Sequence, residues 1–248
     1  MSALADLGLL AALWTAVVAF VAGVVRGYSG FGFAAIILAG TGLVANPILF
    51  VPVVVIVDLF LTLGQAPSIR GEVDWRRVRW LGLGSFVVLP FSVWVISNMG
   101  VDTARLVISV AILAATFALW TGVRIDRPLG RRSHIAAGLV SGTAQGASLG
   151  GLPVAVFFAA QNVEAAAFRA TIIAFFFLID LWALPWMFGA GMVTSGSVVL
   201  AAFCLPFMAL GVWYGTHRFR AASPEGFRRF ALLLLGALAL GGIGRSLA

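Results

Sequence analysis

Ten apolar runs divide the chain, near residues 7–25, 30–45, 47–64, 79–97, 104–121, 135–146, 149–161, 168–189, 195–214 and 228–244, with short polar stretches between them. An α-helix needs about 20 apolar residues to cross a bilayer, and most of these runs come close to that. The two in the middle, 135–146 and 149–161, are shorter and read as half-length or re-entrant helices. Two glycine-rich stretches interrupt the apolar pattern. One is Gly27-Tyr28-Ser29-Gly30-Phe31-Gly32, preceded by Arg26, and the other is Gly146-Ala147-Ser148-Leu149-Gly150-Gly151. At an offset of 119 residues Gly27 meets Gly146, Ser29 meets Ser148 and Gly32 meets Gly151. Glycine costs roughly 1 kcal/mol relative to alanine in a helix interior, so both stretches predict broken membrane helices. A break frees backbone groups at membrane depth, which only protein or a water-filled cavity can satisfy. Ser29 and Ser148 are placed to cap the helices that follow. Asn46-Pro47 opens the next segment with a cap residue and a first-turn proline.

The pattern predicts an all-α integral membrane protein with a single transmembrane domain. Its two halves, 1–122 and 133–248, each hold about five membrane segments. An odd number per half makes them inverted repeats, with the paired glycine-rich breaks at the centre. A second match supports the repeat: Val57-Asp58-Leu59-Phe60 resembles Ile179-Asp180-Leu181-Trp182 at an offset of 122. Inverted repeats with paired broken helices are a recurring plan of secondary transporters.

Composition adds to this reading. The chain is 62% hydrophobic and 10% charged, against about 25% charged in soluble domains. Its 16 basic residues are all arginine, and the formal charge is +7. The arginines gather in loops 65–78, 122–133 and 215–229, whereas loops 98–103 and 190–194 hold none. Membrane orientation therefore explains the charge better than nucleic acid does, and the basic loops are expected in the cytoplasm. An even number of crossings must then separate loop 122–133 from loop 215–229, so the two short middle segments form either two crossings or one hairpin. The run 7–25 lacks the basic flank and cleavage site of a signal peptide. Cys204 is the only cysteine, and the two histidines, His134 and His217, sit at segment edges. Neither a metal centre nor a cofactor is expected.

Arg26 is the strongest candidate for binding an anion, because its planar, permanently charged fork matches carboxylate, sulfonate or sulfite oxygens. Helix N-termini after each glycine stretch would add favourable dipoles. The expected substrate-binding set is Arg26, Gly27, Ser29, Gly30, Gly32, Gln145, Ser148, Gly150, Gly151 and Arg169. Thr143 and Asn46 could add neutral hydrogen bonds. Asp58 and Asp180 lie within apolar segments, where a charge must face a cavity or a partner. They are candidates for coupling to a proton or sodium ion, or for a structural ion pair with Arg26 or Arg169. The spacing Gly138-xxx-Gly142-xxx-Gly146 predicts close helix packing.

Four stretches carry a family resemblance: Arg26-Gly27-Tyr28-Ser29-Gly30-Phe31-Gly32-Phe33, Val73-Asp74-Trp75-Arg76-Arg77, Ser148-Leu149-Gly150-Gly151-Leu152-Pro153 and Phe168-Arg169-Ala170-Thr171. In order and spacing the chain resembles the TauE/SafE family of sulfite and sulfonate exporters. The resemblance implies an all-helical permease of about eight crossings in the bacterial inner membrane, moving small sulfur-containing or organic anions. Asp58 departs from the family pattern at its position. The expected function is export of a small anion such as sulfite or an organosulfonate, coupled to a proton or sodium gradient. An anion channel and an uptake permease of the same fold are the alternatives. The expected partners are the anion, the lipid bilayer and the coupling ion, without nucleic acid, and the plan is compatible with a homo-oligomer. No residue set for catalysis is present, such as HExxH or a serine–lysine pair.

Overall fold

The computed structural model describes residues 8–122, 125, 129–161, 163–219, 236, 239–240 and 242–244. Nine α-helices are delimited among them: α1 (Gly8–Ser29), α2 (Phe33–Gly42), α3 (Pro47–Ile69), α4 (Trp75–Ser97), α5 (Val101–Thr121), α6 (Arg131–Gln145), α7 (Gly151–Ala159), α8 (Ala165–Gly189) and α9 (Ser195–Phe219). Six of them, α1, α3, α4, α5, α8 and α9, are long and apolar enough to cross a membrane. Most of the expected run 228–244 and the loop residues Arg124, Arg127, Arg220, Arg228 and Arg229 fall outside the described residues, and the described residues of that run, 236, 239–240 and 242–244, are helical.

The outside of the bundle is apolar. Leu10, Val87, Phe117, Phe188 and Trp213 are exposed, as side chains facing lipid must be. The chain is thus a multi-pass, all-helical membrane protein.

Two helix pairs are joined by glycine contacts. Gly23 and Gly27 of α1 lie against the backbone of α9 at Met208 and Val212, and Gly211 and Gly215 of α9 lie against α1. On the other side, Gly138, Gly142 and Gly146 lie against α4 at Leu81, Ser85 and Ser92. The packing expected of this second set is therefore present. Ser85 and Ser92 reinforce it by donating to the carbonyls of Gly138 and Gly142, each over 2.8 Å. Small residues let backbones approach where no hydrophobic force separates helix from lipid. Helices α3 and α8 pack on each other between these pairs, α3 also against α9 and α8 also against α4.

Freed backbone groups find partners. Pro90 leaves the Phe86 carbonyl without its helical donor, and Trp182 Nε1 donates to it over 3.2 Å. At the end of the short helix α2, Trp14 donates to the Gly40 carbonyl (2.8 Å) and Arg105 to that of Gly42 (3.2 Å).

The first break falls later than expected. Helix α1 runs through Arg26 and Gly27 to Ser29, because the bare Gly27 is needed for contact with α9. The chain turns at Gly30 and Gly32, whose φ values of 81° and 84° suit glycine. Helix α4 also starts early, at Trp75. Asp74 caps it by accepting from the Arg77 amide at 3.0 Å, so Arg76 and Arg77 belong to the first turn.

Candidate functional site

The capping expectation for the two serines is not met. Ser29 folds back along α1, donating to the carbonyls of Val25 (2.8 Å) and Phe31 (2.9 Å), and Gly32 starts α2 without a side-chain cap. Ser148 adopts the left-handed conformation (φ 57°) that closes α6. Its amide donates to the Gln145 carbonyl and the next amide, of Leu149, to that of Ala144. This is the turn in which glycine usually stands at the Ser148 position. Its hydroxyl donates to the Val51 carbonyl of α3 over 2.8 Å, and α7 starts at Gly150 without a side-chain cap. Both serines therefore hold breaks in shape. Asn46 does cap α3, accepting from the Ile48 amide at 3.0 Å, and Thr143 is exposed on α6, so neither belongs to the site.

The two breaks and both aspartates converge. Gly32, Phe33, Ala34 and Ala35 at the start of α2 line one small cavity. Val54 and Asp58 of α3, Phe176 and Asp180 of α8, and Gln145, Ser148, Leu149, Gly151 and Leu152 of the second break line the rest. The N-termini of two half-length helices thus meet one space, where their dipoles favour negative charge. The cavity measures about 20 Å³. That holds about one water, too little for a sulfite or sulfonate in this conformation.

Arg26 stands behind this cavity. It is fully buried, pairs with the carboxylate of Asp58, donates Nη2 to Thr62 Oγ1 over 2.6 Å, and lies 4.7 Å from the centre of the Phe33 ring. Arg26 therefore lies inside the bundle and away from its lipid-facing surface. The pairing matches the structural ion-pair alternative for Asp58. Thr62, four residues after Asp58 on the same helix face, was not anticipated, although that spacing could have flagged it.

Asp58 and Asp180 line the same cavity from α3 and α8. Apart from Arg26, no described group donates to the Asp58 carboxylate. Asp180 accepts from Gln145 Nε2 at 2.5 Å. The Gln145 Oε1 accepts the Gly150 amide at 3.1 Å, and the Gly150 carbonyl accepts from Ser141 Oγ at 2.6 Å.

The remaining candidates lie around the first break. Gly30 packs on the stem of Arg169. Arg169 is half-buried and donates to Thr216 Oγ1 over 3.2 Å, and Thr216 in turn donates to the Gly27 carbonyl over 3.3 Å. Gly27, Ser29 and Gly30 are outside the cavity, and so is Arg169, which abuts the first break from α8. Of the expected set, the structure gathers Gly32, Gln145, Ser148, Gly151, Asp58 and Asp180 on the cavity, with Gly150 and Arg26 in direct contact with its walls.

The family model for the sulfite exporter TauE/SafE matches residues 15–241. No similar curated protein and no similar solved structure was found.

Proposed function

From the premise that this chain belongs to the TauE/SafE sulfite exporter family, we propose that it is a secondary transporter that exports a small anion, sulfite or an organosulfonate, across the inner membrane. The observation that carries this is the meeting of two half-helix N-termini, the Arg26–Asp58 pair and Asp180 at one small cavity. Helix ends and an arginine suit an anion, and a carboxyl pair suits a proton or a sodium ion. A channel would gain nothing from buried carboxylates, which repel anions.

In this reading the halves 1–122 and 133–248 are inverted repeats. The packing supports it. Helix α1 pairs with α9 as α6 pairs with α4, and α3 contacts α9 as α8 contacts α4. The first break abuts the start of α8 through Phe31 and Phe168, with ring centres 5.8 Å apart, and the second abuts the start of α3 through Ser148 and Val51. Helices α1–α2 and α6–α7 are then two hairpins entering from opposite faces. An even number of crossings is preserved, and the arginine-rich loops are cytoplasmic. The substrate is held by Gly32, Gln145, Ser148, Gly150, Gly151 and Arg26, with Arg169, Gly27, Ser29 and Gly30 forming the approach beside the first break.

A thermal-shift screen of the purified protein against sulfite, sulfate, thiosulfate, small sulfonates and carboxylates tests the reading. A ligand that binds only the folded state raises its melting temperature. The expected result is stabilisation by sulfite or a sulfonate and none by carboxylates. Absence of stabilisation by every anion would sink the reading.

A further inference from the structure

Arg26 is fully buried, and Asp58 already occupies its charge. Charges that face this pair come from three helices: Arg26 from α1, Asp58 from α3, and Asp180 and Arg169 from α8. The neighbouring wall, Gln145 and Ser148, is neutral. Arg169 is half-exposed and turned to Thr216, so its charge is partly screened and lies outside the cavity. Within that space Arg26 pairs with Asp58, and Asp180 is the second carboxyl group. The Arg26–Asp58 pair is neutral as it stands.

The cavity has no room for an oxyanion beside the intact ion pair. An anion that reaches Arg26 must take the place of the Asp58 carboxylate. Asp58 would then be a charge without a partner, fully buried, next to a second carboxyl and a bound anion. A lone buried charge costs several kcal/mol. No described cation lines the cavity to replace Arg26. A proton on Asp58 fills the vacancy without leaving a net charge and needs no room, whereas a sodium ion would need space and ligands beside the bound anion.

Building on the transporter reading above, we propose that Arg26 is passed from Asp58 to the substrate, so that each singly charged anion is bound together with one proton and the two cross in the same direction. The step breaks the Arg26–Asp58 ion pair, forms an Arg26–oxyanion ion pair and forms an O–H bond on Asp58. The proton comes from water on the open side and is returned on the other side when the anion leaves and the Arg26–Asp58 pair re-forms. Transport is electrically neutral. Its direction follows the combined gradient of anion and proton, so an anion accumulating inside drives its own export with a proton.

The test uses the full-length protein in liposomes and methanesulfonate, a permanently ionised anion that cannot carry a proton itself. Anion efflux and lumenal pH are recorded together. The expected result is one proton leaving per methanesulfonate, with a rate unaffected by a valinomycin-clamped membrane potential. Asp58→Asn should bind methanesulfonate without proton uptake. If that variant is not folded, the wild-type stoichiometry stands alone as the measure. Proton entry during anion efflux, or efflux without proton movement and with voltage dependence, would overturn the exchange. No flux of methanesulfonate, sulfite or any other anion would instead overturn the transporter reading, and this inference with it.

Discussion

Gln145 and Asp180 meet across the α6–α8 interface, the glutamine Nε2 donating to the carboxyl over 2.5 Å while its Oε1 holds the Gly150 amide. One buried side chain thereby joins Asp180 to the second break. A change in Asp180 is felt at Gly150, and a movement of the break is felt at Asp180. Neutral glutamine suits this place because it can donate to one neighbour and accept from the other at the same time.

Gln145→Leu retains the volume but leaves two buried groups without partners. Each unsatisfied group costs about 1–3 kcal/mol. The variant should lose about 2–4 kcal/mol of stability in detergent, read by denaturant or thermal unfolding. Thr143→Val, two residues away on the exposed face, should stay within about 0.5 kcal/mol of wild type. Equal effects of the two substitutions would show that Gln145 is not the link.

The Arg26–Asp58 pair allows a sharper test. Arg26→Ala leaves a buried carboxylate alone and should cost about 3–5 kcal/mol, whereas replacing both partners with apolar residues is often neutral or stabilising. Arg26→Met with Asp58→Leu should therefore recover most of the stability lost in Arg26→Ala, and transport should still be absent. Arg26→Lys should fold, because the charge pair is kept. It should bind the anion roughly tenfold more weakly, since a point charge cannot hold Thr62 and an oxyanion as a fork does. If the double variant transports normally, the pair is structural only.

Much of this was legible in the sequence. Apolar runs of membrane length predicted the long helices, and the two short runs predicted α6 and α7. Asp58 and Asp180 stood out because a charge in an apolar run requires a partner. The course of the first break did not stand out. Glycine serves both close helix contact and chain reversal, and Gly27 looked like part of the turn although it serves the α9 contact. The Gly23-xxx-Gly27 and Gly211-xxx-Gly215 spacings were the cue. The serines misled for a similar reason. A serine ahead of a helix suggests a cap, but Ser148 ends the helix before it and binds a carbonyl 97 residues away. The Arg26–Asp58 pairing also joins different helices, so spacing could suggest it only as one option.

Topology has a direct prediction. Single cysteines at Gly71 and Gly130, in a Cys204→Ser background, should resist a membrane-impermeant thiol reagent added to whole cells, because both loops carry arginine. Cysteines at Gly100 and Gly191 should react. All four positions are exposed at helix ends, so failure to label reflects sidedness. Labelling of Gly130→Cys from outside would dismantle the hairpin assignment of α6–α7, because the parity argument depends on its start and finish sharing one face.

Ser148 offers the most discriminating stability test, because its conformation and its hydrogen bond act in opposite directions. A non-glycine residue in the left-handed region costs about 1–2 kcal/mol. The hydroxyl bond to Val51 contributes about 0.5–1.5 kcal/mol. Ser148→Gly removes the strain and the bond together, so its stability should lie within about 1 kcal/mol of wild type. Ser148→Ala keeps the strain and loses the bond, and leaves the Val51 carbonyl its helical partner only. It should be less stable than Ser148→Gly by about 1–2 kcal/mol. The order of the two variants in thermal unfolding is the measurement. Alanine equal to or better than glycine would mean that residue 148 is not held in the left-handed turn. Transport separates the same pair differently. In both variants the tie between the second break and α3 is gone, so both should lose transport to a similar extent despite unequal stability. If Ser148→Gly transports as wild type does, the Val51 bond shapes the resting fold and has no part in moving the anion.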